Sequence, residues 1–152
     1  MGIEIERKFL VISDEWRAAT KQRFEMDQGY LSAEPVVRVR RARDDFSDKA
    51  YLTIKQDRQN SLVRDEFEYE IPVDDALGML ALCTTRLTKT RFYVSHGGLI
   101  WHVDYFCKPL GLVIAEIELD DPAQEFDKPA WLGEEVTDDP RYLNANLAKE
   151  FG

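Results

Sequence analysis

Seven stretches of the chain alternate apolar with charged residues at a period of two, and this alternation constrains the fold more than any other feature of the sequence. A period of two is typical of β-strands, in which residues two apart share one face. Strands are predicted at 2–12, 36–44, 50–56, 63–72, 86–95, 99–107 and 112–120, with a further short strand near 28–32. SHGG at 95–98 predicts a tight hairpin, because glycine accepts the positive φ of such turns.

Three other stretches have the apolar spacing of helices, at 14–26, 74–83 and 139–150. In the last of them, large apolar residues recur every four positions, so one face of that helix is apolar. No repeat or linker divides the chain, and 152 residues are enough for one sizeable core. The expected fold is a single α+β domain over residues 1–152, built on a mostly antiparallel sheet that is either open or closed.

The charged residues of the predicted strands share one face of the sheet. Basic residues dominate some strands, as at Arg38 and Arg40, whereas glutamates dominate others, as at Glu116 and Glu118. A solvated face is common in antiparallel sheets and is the simplest explanation for any single strand. Exposed ion pairs stabilise little, however. A solvent-exposed face therefore gives no reason for charged residues to recur on every strand, or for basic and acidic residues to occupy different strands. The alternative is a closed barrel of about eight strands with a charged lumen and an apolar outer face.

A charged lumen indicates a highly charged ligand, because every buried charge loses hydration and requires partners. The ligand that matches several Arg and Lys residues is a chain of anions, accompanied by a metal cation held by carboxylates. The net charge of -9 and the pI near 4.8 disfavour nucleic acid and anionic membranes as partners, so a polyanion site has to be local.

The cysteines and the absence of long apolar runs indicate the kind of cellular compartment in which the protein is expected. Cys83 and Cys107 are expected to be reduced, partly buried thiols in a cytoplasmic protein. A zinc site of the Cys/His type is not expected with only two histidines. No stretch resembles a signal peptide, and no apolar run is long enough to span a membrane as a helix.

The charged motifs also follow one another in a specific order. EIERK at 4–8 is followed by QGYL at 28–31, R-x-R at 38–40, a strand ending in Lys55, R-x-E-x-E at 64–68, K-T-R at 89–91, Asp104 before an aromatic residue, E-x-E at 116–118 and GEEVTDDPRYLNANLA at 133–148. This series resembles the CYTH domain, the family of triphosphate tunnel metalloenzymes, whose signature is E-x-E-x-K. The compact length and the QGYL, KTR and EVT…RYLN stretches are most similar to compact bacterial members, several of which are inorganic triphosphatases.

The resemblance implies an eight-stranded antiparallel closed barrel, or tunnel, with helices packed outside it and the C-terminal helix near one mouth. The metal ligands that it implies are Glu4, Glu6 and Glu118, with Glu116 beside them. The implied phosphate-binding residues are Lys8, Arg38, Arg40, Lys55, Lys89 and Arg91, together with Arg64. Glu66, Glu68 and Asp104 are expected in the tunnel wall, and Lys89 and Tyr30 are the catalytic candidates.

The residue types agree with that assignment. Glutamates at i and i+2 of a strand project in parallel, so both reach one ion, and an oxygen-only ligand set suits Mg²⁺ or Mn²⁺. Phosphoryl transfer requires mainly positioning and charge neutralisation from the protein. The expected reaction is therefore metal-dependent hydrolysis of a triphosphate, with inorganic tripolyphosphate cleaved to pyrophosphate and phosphate.

Two alternatives stay open at this point. One is a class IV adenylate cyclase or a nucleoside or thiamine triphosphatase, which should carry a stacking platform at one mouth; the aromatic residues Trp16, Phe46, Trp131 and Phe151 are scattered along the sequence. The other is a non-catalytic polyphosphate-binding module. The sequence allows a two-fold homodimer but identifies no interface, and it leaves the roles of His102, Glu134 and Glu135 open.

Overall fold

The computed structural model describes residues 2–58, 62–109 and 111–152 of the chain. Within these residues, nine strands form one antiparallel sheet. The strands are β1 (Gly2–Val11), β2 (Thr20–Ala33), β3 (Val36–Arg43), β4 (Asp48–Asp57), β5 (Val63–Ile71), β6 (Thr85–His96), β7 (Leu99–Phe106), β8 (Val113–Glu118) and β9 (Leu132–Glu135).

The sheet closes on itself into a barrel. Its strands follow the order β5-β4-β3-β2-β6-β7-β8-β1, and β1 pairs again with β5, so eight strands form a ring. The short β9 extends the sheet by pairing with the later part of β1, where Phe9 lies opposite Glu135. The predicted closed barrel of eight antiparallel strands is confirmed, and β9 is an addition to it.

The second strand corrects the sequence prediction. A helix was expected over 14–26, but only Glu15–Ala19 form a short 3-10 helix, and β2 begins at Thr20. The Lys, Arg, Glu and Met residues of this stretch favour helices locally, whereas β2 pairs along its length with both β3 and β6. These tertiary pairings outweigh the local preference, and the short strand predicted near 28–32 is the end of this longer one.

Two α-helices lie among the described residues, α1 (Val73–Leu82) and α2 (Asn144–Phe151). α1 packs outside the barrel through Ala76 and Leu80, which join a buried cluster with Val39 and Ala50. Neither helix is long and apolar enough to cross a membrane.

The C-terminal helix is shorter than its predicted range of 139–150. Residues Pro140–Tyr142 form a 3-10 turn, and the carboxylate of Asp139 caps this turn by accepting a hydrogen bond from the Arg141 backbone N–H. α2 then packs its apolar face on one end of the barrel, where Leu147 and Ala148 are buried in a cluster with Phe106 and Ile114.

The largest apolar cluster lies outside the barrel wall. It joins outward-facing residues of β1, β6, β7 and β8 to Trp16 of the 3-10 helix and Trp131 of the loop before β9. The Trp101 ring meets Phe9 edge-on at 5.9 Å and Trp131 at 5.7 Å between ring centroids. The outer wall is therefore covered here by loops and a 3-10 helix, whereas the prediction assigned that role to helices.

Gly29, the glycine of the QGYL stretch, lets β2 pass close beneath the end of α1. A Cβ atom at this position would lie 2.7 Å from Cys83 Sγ and 3.2 Å from Leu80 Cδ2. The Cys83 thiol is free and partly buried, as predicted; Cys107 is also free but is exposed. Steric contact therefore explains this glycine.

We expect Gly29→Ala to lower the free energy of unfolding by about 1–3 kcal/mol, because the added methyl overfills a packed contact. Gly78→Ala is a matched control in α1, where a Cβ atom would meet nothing within 4 Å. Alanine favours a helix interior by about 1 kcal/mol over glycine, so this variant should be more stable. Urea unfolding measures both effects, and equal changes in the two variants would contradict the steric explanation.

Candidate active site

The barrel encloses a cavity of about 530 Å³, and most of the predicted site residues line it. Those that do are Glu4, Glu6, Lys8, Tyr30, Arg38, Arg40, Lys55, Arg64, Glu66, Glu68, Arg91, Glu116 and Glu118. Lys89 and Asp104 are not among the described lining residues and are instead buried within the wall. The structure thus brings together residues from seven strands that are far apart in the sequence.

The four predicted metal ligands meet because β1 and β8 are neighbours. Glu6 lies opposite Glu118 in the antiparallel register. Glu116 precedes Glu118 by two residues on β8 and lies opposite Lys8. Paired positions share a face of the sheet, so the carboxylates crowd together. Burial, and then the charges of Glu116 and Glu4, raise the pKa of Glu6 well above its usual value. Glu116 behaves oppositely: burial alone would raise its pKa, but the charges of Lys8 and Arg91 outweigh burial and lower that pKa well below the usual value.

Glu4 already has a cationic partner. Lys55 Nζ donates to both carboxylate oxygens of Glu4, at 3.1 and 3.0 Å, and lies 3.4 Å from Glu66 Oε2. Burial alone would raise the pKa of Glu4, but Lys55 outweighs it and lowers that pKa. No three His, Cys, Asp or Glu side chains in the described parts of the chain form a ready metal-binding group. A divalent cation bound at Glu4 would compete with Lys55 for that carboxylate.

The opposite wall of the cavity is basic, with Glu68 Oε1 3.6 Å from Arg38 Nη2. Arg40 Nε donates to Gln28 Oε1 at 2.9 Å, and Arg38 Nη2 donates to Thr53 Oγ1 at 3.3 Å. The buried Nε of Arg38 has no hydrogen-bond partner among the residues that the structure describes. Burial, followed by the charges of Arg38 and Arg91, lowers the pKa of Arg40 to about 9. These arginines concentrate positive charge on this side of the cavity.

Asp104 holds two of the predicted cations inside the wall. Its carboxylate accepts bonds from Arg91 Nε at 2.8 Å and Nη2 at 2.9 Å, and from Lys89 Nζ at 2.7 Å. Lys89 Nζ also donates to Asn144 Oδ1 at 2.9 Å. Burial lowers the pKa of Lys89 well below its usual value, although Asp104 opposes the shift. Lys89 is thus bound within the wall, whereas Arg91 faces the cavity.

The start of the C-terminal helix forms part of the cavity wall. Leu143, Asn144 and Ala145 line the cavity, and Lys8 Nζ donates to the Tyr142 carbonyl oxygen at 2.9 Å. Apolar residues of α2 pack on the same end of the barrel. The prediction that the C-terminal helix lies near one mouth is therefore confirmed.

An aromatic group in the cavity was missed by the sequence analysis. Phe24 and Tyr93 lie 5.3 Å apart between ring centroids, and Tyr93 stacks on His102 at 4.7 Å with an interplanar angle of 21°. Burial, and then Arg91, lower the pKa of His102 to about 4, so its ring is neutral near pH 7. Phe24 was missed because its stretch was predicted as helix; Tyr93 shares strand parity with Arg91, and that signal could have identified it.

The two glutamates left open after Gly133 lie away from this cavity. Glu135 accepts two bonds from Arg7, from Nε at 2.8 Å and from Nη2 at 2.6 Å. Arg7 in turn lies 5.1 Å from the centre of the Phe126 ring, on the outer side of β1. Glu135 therefore ties β9 to β1, and Glu134 is exposed.

We expect Asp104→Asn to lower the free energy of unfolding by about 3–5 kcal/mol, because it leaves two buried cations without their carboxylate. Asp48→Asn provides a matched control, since Asp48 also accepts two bonds from one arginine, Arg41, but at the exposed outer face. Exposed ion pairs stabilise little, so this variant should unfold almost as the wild type does. Chemical denaturation compares the variants, and equal losses at the two positions would refute the importance of burial.

Comparison with known proteins identifies a family and relatives of this chain. The model of the CYTH domain matches residues 2–151. An inorganic triphosphatase of Acetivibrio thermocellus is 46% identical over 154 aligned residues, covering 98% of this chain and 95% of that protein. An inorganic triphosphatase of Nitrosomonas europaea is 35% identical, covering 95% of this chain and 96% of that protein.

The solved structures agree with this comparison. The crystal structure of the inorganic triphosphatase NE1496 is similar to this one, with a TM-score of 0.64 and 30% identity over 95% of this chain and 93% of that chain. A protein of Pyrococcus horikoshii, PH1012, shares the fold at a TM-score of 0.60 and 19% identity, covering 78% of this chain and 80% of that chain. From its sequence and its fold, this chain belongs to the CYTH domain family.

Proposed function

We propose that this protein is an inorganic triphosphatase, which hydrolyses tripolyphosphate to pyrophosphate and phosphate with the help of a divalent metal. The observation that carries the proposal is the enclosed basic wall, in which the buried Nε of Arg38 has no hydrogen-bond partner among the described residues and the pKa of Arg40 is lowered to about 9. Burying these cations costs free energy that a bound anion would offset. The names of the two curated relatives support the same reaction.

The charge of the cavity suits a linear triphosphate. This substrate carries roughly four to five negative charges near neutral pH, since the last phosphoryl pKa is about 6. Arginine guanidinium groups bind phosphate oxygens with two parallel bonds, whereas lysines act as point charges. The described cations that line the cavity are Lys8, Arg38, Arg40, Lys49, Lys55, Arg64 and Arg91.

The glutamates suit a hard divalent cation, Mg²⁺ or Mn²⁺. Glu4, Glu6 and Glu118 would hold the ion, with Glu116 beside them. The set offers only oxygen ligands, and burial together with the carboxylates of Glu116 and Glu4 raises the pKa of Glu6. When bound, the metal neutralises charge on the phosphate oxygens during the reaction.

The Tyr30 hydroxyl is a candidate hydrogen-bond donor to the substrate. Gln28 Nε2 donates to the Tyr30 hydroxyl oxygen at 2.9 Å, and the Gln28 carbonyl oxygen accepts from Arg40. Since the tyrosine oxygen already accepts a bond, its own hydrogen is available to a phosphate oxygen. Tyr30 and Arg40 are thereby positioned through one glutamine.

The remaining chemistry is hydrolysis by water without a covalent enzyme intermediate. The arginines orient the phosphate chain, so that water attacks a terminal phosphorus while the bridging P–O bond to the rest of the chain breaks, which gives phosphate and pyrophosphate. Lys89 is the candidate for aiding the attack or the leaving group, because burial lowers its pKa well below the usual value; its Nζ, bound to Asp104 and Asn144, would have to exchange a partner to reach the substrate.

A second candidate function is hydrolysis of a nucleoside triphosphate. The stacked rings of Tyr93 and His102, with Phe24 beside them, offer an aromatic surface on which a base can stack. We rank this function second, because the same rings also serve as an apolar wall for a shorter substrate.

A phosphate-release assay over tripolyphosphate, pyrophosphate, ATP and thiamine triphosphate separates these functions. With Mg²⁺ or Mn²⁺, we expect phosphate release to be fastest from tripolyphosphate, no cyclic AMP from ATP, and loss of activity with EDTA. Faster hydrolysis of ATP would favour the second function. Calorimetric binding of tripolyphosphate without turnover under either metal would indicate a non-catalytic binding module.

Glu4→Gln and Glu6→Gln should each reduce kcat for tripolyphosphate by about a hundredfold or more, since an amide keeps the shape but loses the charge that binds the metal. Glu25→Gln is the control, because Glu25 lies on the outer face of β2 and pairs with Arg23 at 2.9 Å. It should keep wild-type kcat. Circular dichroism checks that each variant is folded, and full activity of a folded Glu6→Gln enzyme would exclude the metal assignment.

A further inference from the structure

Asn144 is the first residue of α2, and its side chain lines the cavity. Its Oδ1 atom accepts a hydrogen bond from Lys89 Nζ at 2.9 Å. A lysine amine bound to a carboxylate presents hydrogens, so the amide group must turn its oxygen towards Lys89. The orientation of the Asn144 amide is thus set by a group inside the barrel wall.

The nitrogen of the same amide is left unused by the protein. Because the amide is planar, fixing Oδ1 on Lys89 also fixes the direction of Nδ2, which carries two hydrogens. Among the residues that the structure describes, Asn144 Nδ2 has no hydrogen-bond partner. The carbonyl oxygen of the nearby Tyr142 already accepts a hydrogen bond from Lys8 Nζ.

We propose that Asn144 is a further substrate-binding residue, whose Nδ2 donates to a phosphate oxygen at the end of the cavity nearest α2. This inference rests on the proposed triphosphatase function, because it names how that substrate is held. The arginines and lysines supply charge, whereas Asn144 adds a neutral, directional donor. The C-terminal segment then belongs to the substrate site as well as covering one end of the barrel.

The competing explanation is that Asn144 only anchors α2 to Lys89. Asn144→Asp, compared with Asn144→Ala, distinguishes the two roles, because a carboxylate keeps an acceptor for Lys89 but has no N–H to donate. An acid in the first turn of a helix and beside a lysine also favours the anchored segment. The donor role predicts weaker substrate binding in both Asn144→Asp and the uncharged Asn144→Ala, whereas the anchor role predicts unchanged binding in Asn144→Ala. A loss of binding confined to Asn144→Asp would reflect repulsion between its carboxylate and the anion, and would overturn the donor role.

Asn146→Asp is the matched control. It introduces the same charge two residues along α2, at a position that is not among the described lining residues. Asn146 Nδ2 donates to the Pro140 carbonyl oxygen at 2.7 Å, outside the cavity. Its substitution should leave substrate affinity within about twofold of the wild type.

The experiment measures KM and kcat for tripolyphosphate with Mg²⁺, the calorimetric Kd for tripolyphosphate with EDTA, and Tm. We expect Asn144→Asp and Asn144→Ala to raise Kd and KM by about tenfold or more, as for loss of a bond to a charged group. Wild-type Kd and KM in Asn144→Asp would overturn the inference. If that variant does not fold, Asn144→Ala decides: unchanged Kd with a lower Tm overturns the donor role.

The same measurements separate this inference from the proposed function. Hydrolysis by the wild type with normal binding in Asn144→Asp overturns only the role of Asn144. A wild-type protein that neither binds nor hydrolyses tripolyphosphate overturns both.

Discussion

Four residue pairs between β1 and β5, from Gly2 opposite Glu66 to Ile5 opposite Val63, close the barrel, and the site depends on this closure. Without it, β5 would be an open edge, and Lys55 would not face Glu4 across an enclosed space. Because side chains alternate between the two faces of a strand, closure also forces every second residue inward. Charges that would be ordinary on an open sheet become partners within one cavity, where water no longer screens them fully.

The enclosed charges are divided by sign around the ring. Cavity glutamates lie on β1, β5 and β8, whereas β3 contributes two arginines, and β5 and β6 contribute one each. Lys55 and Asp104 join the two signs by pairing with Glu4 and with Arg91. A polyanion and a cation bound together would match this division. It also explains how a protein of net charge -9 can attract a polyanion, since the basic wall lies inside and the surplus of acid lies elsewhere.

The closed barrel and most of the cavity lining could be predicted, because strand parity marks residues such as Arg38 and Glu116 without knowledge of the fold. The order of the motifs then identified the family. β2 could not be predicted, since its residues favour a helix locally and only pairing with β3 and β6 makes it a strand. For the same reason Phe24 was missed. The contact between Asn144 and Lys89 joins positions 55 residues apart, and no local pattern announces it.

The largest apolar cluster lies outside the barrel wall, so the residues that stabilise the fold are different from those that contact the ligand. In many enzymes these two demands compete for the same residues. Trp16, Trp101 and Trp131 pack on the outer surface, so hydrophobic stabilisation is generated away from the residues that face the ligand. Substitutions among cavity residues such as Phe24 or Tyr51 leave that outer packing intact. A scaffold of this kind can change the anion that it accepts in small evolutionary steps, each of which preserves a folded protein.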